Sequence, residues 1–133
     1  VDDTVIAESS MLIALERERA RGARGPAMDY LAFHPHQRLV VTPVIAAELG
    51  AGRSLAQRQR WDAFLRPFRS LPITSDVAWR YAETFRFLQT NGLMIGSNDL
   101  WIASAGLAYD LPVVTANPRD FRRVPGLEVV ALI

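Results

Sequence analysis

The sequence predicts an α/β fold: a central, mainly parallel sheet covered by helices on both faces. Three observations carry this expectation. Short continuous apolar runs (Val5-Ile6-Ala7, Leu39-Val40-Val41 and Val113-Val114) read as strands buried on both sides. The segments between them carry helical spacing, and strands alternating with helices imply parallel pairing through crossovers. The chain has 133 residues, half of them hydrophobic, which fits one domain, 1–133, with a continuous core.

The elements follow in order. The first strand breaks at Glu8-Ser9-Ser10, where either serine can cap a helix through Met11-Leu12-Ile13-Ala14-Leu15. Residues 17–25 are polar and Gly-bearing, as in a loop or a frayed helix end, and 26–33 has a weak helical pattern. After the strand at 39–41, Thr42-Pro43 marks a boundary, with Thr as N-cap and Pro at the first helical position. The helix it opens carries Glu48 and stops near Gly50 or Gly52. Residues 55–68 space Leu55, Trp61, Phe64, Leu65 and Phe68 as on an amphipathic helix, which Pro67 shortens. Residues 71–73 are extended. Ser75 caps a longer helix ended by Asn91-Gly92, and Asn98 caps another through Ala108. Residues 113–114 form a strand, 118–123 a turn or short helix, and 127–130 the last strand.

Composition excludes several function classes. Cysteine is absent, which removes disulfides, thiolate nucleophiles and Cys-based zinc sites. The only histidines, His34 and His36, sit in a Pro-containing stretch without neighbouring acids and read as a solvated loop pair. No apolar run is long enough for a membrane span, and no basic-then-apolar leader opens the chain, so a cytoplasmic protein is expected. Net charge is +1, too small for a global field that recruits nucleic acid. All 15 basic residues are arginine, a residue suited to bidentate phosphate contacts.

Three carboxylates stand inside apolar segments: Glu8, Glu48 and Asp99. Burying an ionised carboxylate without a partner is costly, and no basic residue shares any of these runs. In open parallel sheets, ligands bind beyond the carboxyl ends of the strands, where the winding reverses. Glu8 follows the first strand, Glu48 lies in the helix after the second, Asp99 opens the helix leading to the 113–114 strand, and Asn117 and Asp120 follow it. Acids converging at one edge would raise one another's pKa unless a cation were bound. Carboxylate oxygens without His or Cys select hard cations, Mg²⁺ or Mn²⁺. A metal-dependent hydrolase is the first expectation.

The order of these motifs adds a resemblance. An acid followed by Ser-Ser, then Pro43 to Leu49, then Ile95-Gly-Ser-Asn-Asp-Leu-Trp-Ile-Ala-Ser-Ala105, then Val113 to Leu127 resembles a PIN domain of the VapC toxin type. The resemblance covers essentially the whole chain. It implies a three-layer α/β/α fold, Mg²⁺- or Mn²⁺-dependent endoribonuclease activity, a VapB-type antitoxin partner and an RNA substrate, with tRNA and rRNA as candidates. A homodimer is expected as well, from the resemblance and from apolar helices at 55–68 and 75–88. Matched residue by residue, the resemblance gives Glu8, Glu48, Asp99 and Asp120 as metal ligands, with Asn117 helping in catalysis. Ser10, Thr115, Arg119 and Arg122 are the substrate contacts. Glu8 departs from the pattern, which has aspartate there; the longer side chain keeps the charge and moves the oxygens. An antitoxin- or RNA-binding module with a weakened metal site is therefore the alternative.

Each residue also has a plainer role. Asp99 could serve only the helix dipole, worth roughly 0.3–1 kcal/mol. Asp120 could cap a turn, Asn117 the turn at Pro118, and Asn98 its own helix. The arginines at 119, 122 and 123 could be a solvated run. Trp61, Trp79, Phe64 and Phe68 fit a core or a subunit interface better than base stacking.

Overall fold

A computed structural model describes residues 3–132. The chain runs β1 (Thr4–Ala7), α1 (Ser9–Arg21), α2 (Pro26–Phe33), β2 (Arg38–Val41), α3 (Pro43–Ala51), α4 (Arg58–Leu65), β3 (Arg69–Ser70), α5 (Ser75–Thr90), α6 (Ser97–Tyr109), β4 (Val113–Thr115), α7 (Pro118–Phe121) and β5 (Val129–Ala131). The five strands form one sheet in the order β3-β2-β1-β4-β5, and every pairing is parallel. Right-handed crossovers place the helices after β1 and β2 on one face and those after β3 and β4 on the other. The expected three-layer α/β/α architecture is what the chain adopts.

The continuous apolar runs occupy the sheet centre because both faces are covered there. Val5, Ile6, Ala7, Val40, Val41, Val113 and Val114 are all buried, and Met11, Leu12, Leu15, Ile45, Leu100 and Ile102 close over them. Pro43 opens α3 as expected, with Thr42 Oγ1 accepting from the Ile45 N–H at 3.3 Å. Trp61 and Phe64 of α4 pack against the core, Trp61 donating from Nε1 to the Ala46 carbonyl at 2.8 Å.

Several boundaries differ from expectation, for physical reasons. Helix α1 continues through residues 17–21, within the stretch expected as a loop or a frayed helix end, and the reason is Glu18. It is 2 % exposed and its carboxylate accepts the N–H groups of Gly25, Ala27 and Met28 at 2.8–3.0 Å. These are donors at the start of α2 with no partner inside that helix. A Cβ on Gly25 would stand 2.7 Å from Glu18 Cδ, so glycine is required there. Gly22, at φ 66°, ends α1. The N-caps also move: Glu8, not a serine, caps α1; Thr74, not Ser75, caps α5; and Gly96, not Asn98, precedes α6. Helix α4 starts at Arg58 rather than Leu55. The edge strand β3 is Arg69–Ser70, two exposed polar residues, rather than 71–73, and β5 is 129–131 rather than 127–130.

Candidate functional site

The winding reverses between β1 and β4, the two central neighbours. Their carboxyl ends are in register, with Ala7 opposite Val114 and the Glu8 N–H donating to the Val114 carbonyl at 3.0 Å. Glu8 and Thr115 therefore meet at the switch point. Glu8 is 5 % exposed, and its Oε1 accepts from the hydroxyls of Ser10 and Thr115, each at 2.5 Å. Its Oε2 accepts the Ser10 N–H at 3.1 Å. The Ser10 hydroxyl in turn accepts from the Ala116 N–H at 2.8 Å, and Thr115 Oγ1 from the Asn117 N–H at 2.9 Å. With both hydroxyl protons committed to Glu8, the 3.1 Å approach of Ser10 Oγ to Thr115 Oγ1 has no hydrogen to share. Helix capping explains the side chain's path: Glu8 reaches back over the first turn of α1 to an N–H that lacks an intrahelical partner.

Glu48 projects from α3 toward the same edge. Its Oε1 accepts from the Ser9 hydroxyl at 2.5 Å and its Oε2 from the Asn98 amide at 3.3 Å. Asn98 thus has a different task from the capping expected of it. Ser9 was not anticipated either; the available signal was the paired serine after Glu8, since adjacent residues on a helix point in different directions. Ser10 serves Glu8 and Ser9 reaches across to Glu48.

Asp99, in the first turn of α6, is half-buried. Its pKa is raised from 3.8 to about 6 by burial first and then by the negative charges of Glu8, Glu48 and Asp120. That cause is informative: the charges of three acids from three other segments bear on Asp99. Among the described residues, the ion pairs are Arg24–Asp29 and Arg58–Asp62, and neither touches this group. Among the described residues no cationic side chain pairs with these acids.

Beside the acids lies an open groove of ≈ 740 Å³ lined by Asp99, Ala116, Asn117, Pro118, Arg119, Asp120 and Arg122. Asn117 stands at the N-cap of α7 without a side-chain capping bond. Arg123 is set apart from its neighbours, donating to the carbonyls of Leu93 and Met94 at 3.4 and 3.2 Å. Of the arginine run, the groove receives only 119 and 122. The two histidines are elsewhere, His34 stacked on Tyr30 with ring centroids 4.1 Å apart.

The donor set suits a hard divalent cation: every candidate ligand is a carboxylate oxygen, and a bound cation would relieve the repulsion that lifts Asp99. As the side chains stand, no group of three His, Cys, Asp or Glu among the described residues is close enough to hold one. Glu8 in particular spends its oxygens on hydroxyl and amide donors.

Comparison with known proteins is consistent with this geometry. Residues 5–127 match the family described as PIN domain. Ribonuclease VapC of Rickettsia bellii is 29% identical over 136 residues, covering 96% of each chain. Ribonuclease VapC2 of Rickettsia felis is 31% identical over 94 residues, 67% of this chain and 70% of that one. The solved structure of DNA-bound VapBC from Salmonella typhimurium superposes with a TM-score of 0.81 at 19% identity, covering 100% of both chains. VapBC2 from Rickettsia felis, bound to a promoter DNA fragment, gives 0.79 at 23% identity over 95% of this chain and 96% of that one. Fold, motif order and sequence agree, and the chain belongs to the PIN-domain family.

Proposed function

We propose that this chain is the ribonuclease toxin of a toxin–antitoxin pair, an endoribonuclease that hydrolyses RNA phosphodiesters with Mg²⁺ or Mn²⁺. The single observation that supports the reading is that the charges of Glu8, Glu48 and Asp120 bear on half-buried Asp99, raised to about 6, with no ion pair to any of the four among the described residues. Glu48, Asp99 and Asp120 would hold the cation, with Glu8 as a ligand once its side chain turns or through a water. When bound, such an ion supplies positive charge that polarises water and phosphate oxygens.

The remaining roles fall to the chain's own side chains. Ser9 and Asn98 fix the Glu48 carboxylate. Ser10 and Thr115 fix Glu8 and close the sheet end. Arg119 and Arg122, on the rim of the groove, hold flanking phosphates and set the strand's position. Asp120, helped by Asn117, would complete the ligand set or orient the attacking water. The VapC names of the relatives and the VapBC complexes among the structural neighbours support a VapB-type antitoxin as partner. A basic side chain of that partner, entering the acidic edge, would neutralise the same repulsion as the metal. Exposed Trp79, Phe85 and Phe87 on α5 favour self-association into a homodimer. No helix among the described residues is long and apolar enough to cross a membrane; work in the cytoplasm would follow from the proposed RNA target.

One observation favours a second reading. Glu8 is fully engaged by three donors, so a chain with glutamate here could bind metal weakly and act chiefly by binding its antitoxin or RNA. The discriminating experiment is RNA cleavage by purified, antitoxin-free protein with and without Mn²⁺. Cleavage that needs the metal supports the nuclease; none at any Mn²⁺ concentration, with antitoxin binding intact, supports the binding module.

A further inference from the structure

At the opposite end of the sheet, where the strands begin, lies a second cavity of ≈ 630 Å³. Three arginines from three elements border it: Arg19 at the end of α1, Arg38 opening β2 and Arg69 opening β3. Strand register explains why two of them lie side by side. Val40 is opposite Arg69, and Arg38 precedes Val40 by two residues, so Arg38 and Arg69 point to the same face of neighbouring strands. The cavity's lining contains no acid, and among the described residues no ion pair engages any of the three arginines. Asp3, whose carbonyl accepts the Arg38 N–H at 2.8 Å, has a carboxylate oxygen that accepts from the Gln37 amide at 3.1 Å. The apolar floor wraps around the start of the sheet: Leu39 and Phe68, which alternate with Arg38 and Arg69, line it from the opposite face, on the side of Arg19, and Leu111 adds a further wall.

We propose that this cavity is a phosphate-binding site that takes the terminal phosphate of a nucleotide, either free or at the 5′ end of an RNA strand. Three planar forks arriving from three directions match a tetrahedral oxyanion with three free oxygens better than a planar carboxylate with two. Three positive charges that make no ion pair among the described residues favour a dianion, which a terminal phosphate supplies and an internal phosphodiester does not. The apolar floor gives a sugar and base a surface to cover, and the volume is within the range of small-molecule sites. This site lies beyond the reach of the acidic edge and is independent of the nuclease reading.

Calorimetric titration in EDTA tests it, with inorganic phosphate, a nucleoside 5′-monophosphate, and a short RNA with and without a 5′-phosphate. The monophosphate is expected to bind with a Kd below about 1 mM, more tightly than inorganic phosphate. Arg38→Gln/Arg69→Gln should weaken it by at least about tenfold, the loss of charge-assisted hydrogen bonds. Arg53→Gln/Arg60→Gln, equal in charge but remote, should leave it unchanged, and so should Asp99→Asn. If the 5′-phosphorylated RNA binds and its unphosphorylated counterpart does not, the source is an RNA end; if neither RNA competes with the monophosphate, it is a free nucleotide. Should the double variant misfold, Arg19→Gln alone, on the exposed end of a helix, is expected to weaken binding. Absence of saturable monophosphate binding, or binding lost equally in the remote control, overturns the proposal.

Discussion

Replacing Asp99 with Asn should stabilise the metal-free protein while abolishing its nuclease activity. The side chain keeps its shape and loses only its charge. Because the folded pKa lies at about 6 and the ordinary value is 3.8, the unfolded chain releases this proton first as pH rises. Between those values the folded state binds more protons than the unfolded one, so stability falls with rising pH and the loss is complete above about pH 6. At 1.36 kcal/mol per pH unit the ceiling is about 3 kcal/mol. Solvent at this half-buried carboxylate screens part of it, leaving roughly 1–1.5 kcal/mol. For a chain of this size that is roughly 3–6 °C in Tm. Scanning calorimetry in EDTA should give nearly equal Tm values for parent and variant at about pH 4 and a higher Tm for the variant at about pH 8. Adding Mn²⁺ should raise the parent's Tm and leave the variant's unchanged. A variant no more stable than the parent at high pH, or one that still cleaves RNA, would refute the reasoning.

Other perturbations read different parts of the structure. Thr115→Val removes a hydroxyl that donates to buried Glu8 and accepts from Asn117; urea unfolding should show a loss of about 1–3 kcal/mol, and a change near zero would mean that the Glu8 cluster is not a structural unit. Glu18→Gln puts an amide donor among the N–H groups of Gly25, Ala27 and Met28, and should cost about 2–3 kcal/mol by the same measurement. Glu8→Asp withdraws the carboxylate by about one C–C bond length. It should free the acid from the hydroxyls, lower metal-free Tm, and raise both Mn²⁺ affinity and cleavage rate; equal affinity and rate in the two proteins would show glutamate to be an adequate ligand.

What could be read from the sequence, and what could not, divides along physical lines. Elements whose cause is local were legible: Thr42-Pro43 starts a helix through its own hydroxyl and its own fixed φ, and Val113-Val114 is a strand because both neighbours cover it. The topology also directed Glu8, Asp99 and Asp120 toward one edge, since each flanks an element that meets the switch point, and the charges of the other two bear on Asp99. Features whose cause is distant were hidden. Glu18 stood in a stretch that read only as polar, because its three donors come from the next helix. Arg69–Ser70 carries no strand signal and is a strand only because β2 offers it an edge. The serine expected to cap α1 gives way to Glu8, whose longer side chain bends back to the helix. Which serine serves which acid depends on how α1 and α3 meet, and that is a property of packing.

The central claim is that the acids at the switch point act as one divalent-cation site. Mn²⁺ titration by calorimetry into the partner-free protein tests it most directly, run in parallel on Glu48→Gln, Asp99→Asn and Asp120→Asn with circular dichroism to confirm folding. Saturable Mn²⁺ binding to the parent, lost or weakened by at least about tenfold in each folded variant, is the predicted result. A parent that binds no Mn²⁺, or variants that bind it as the parent does, would contradict the account.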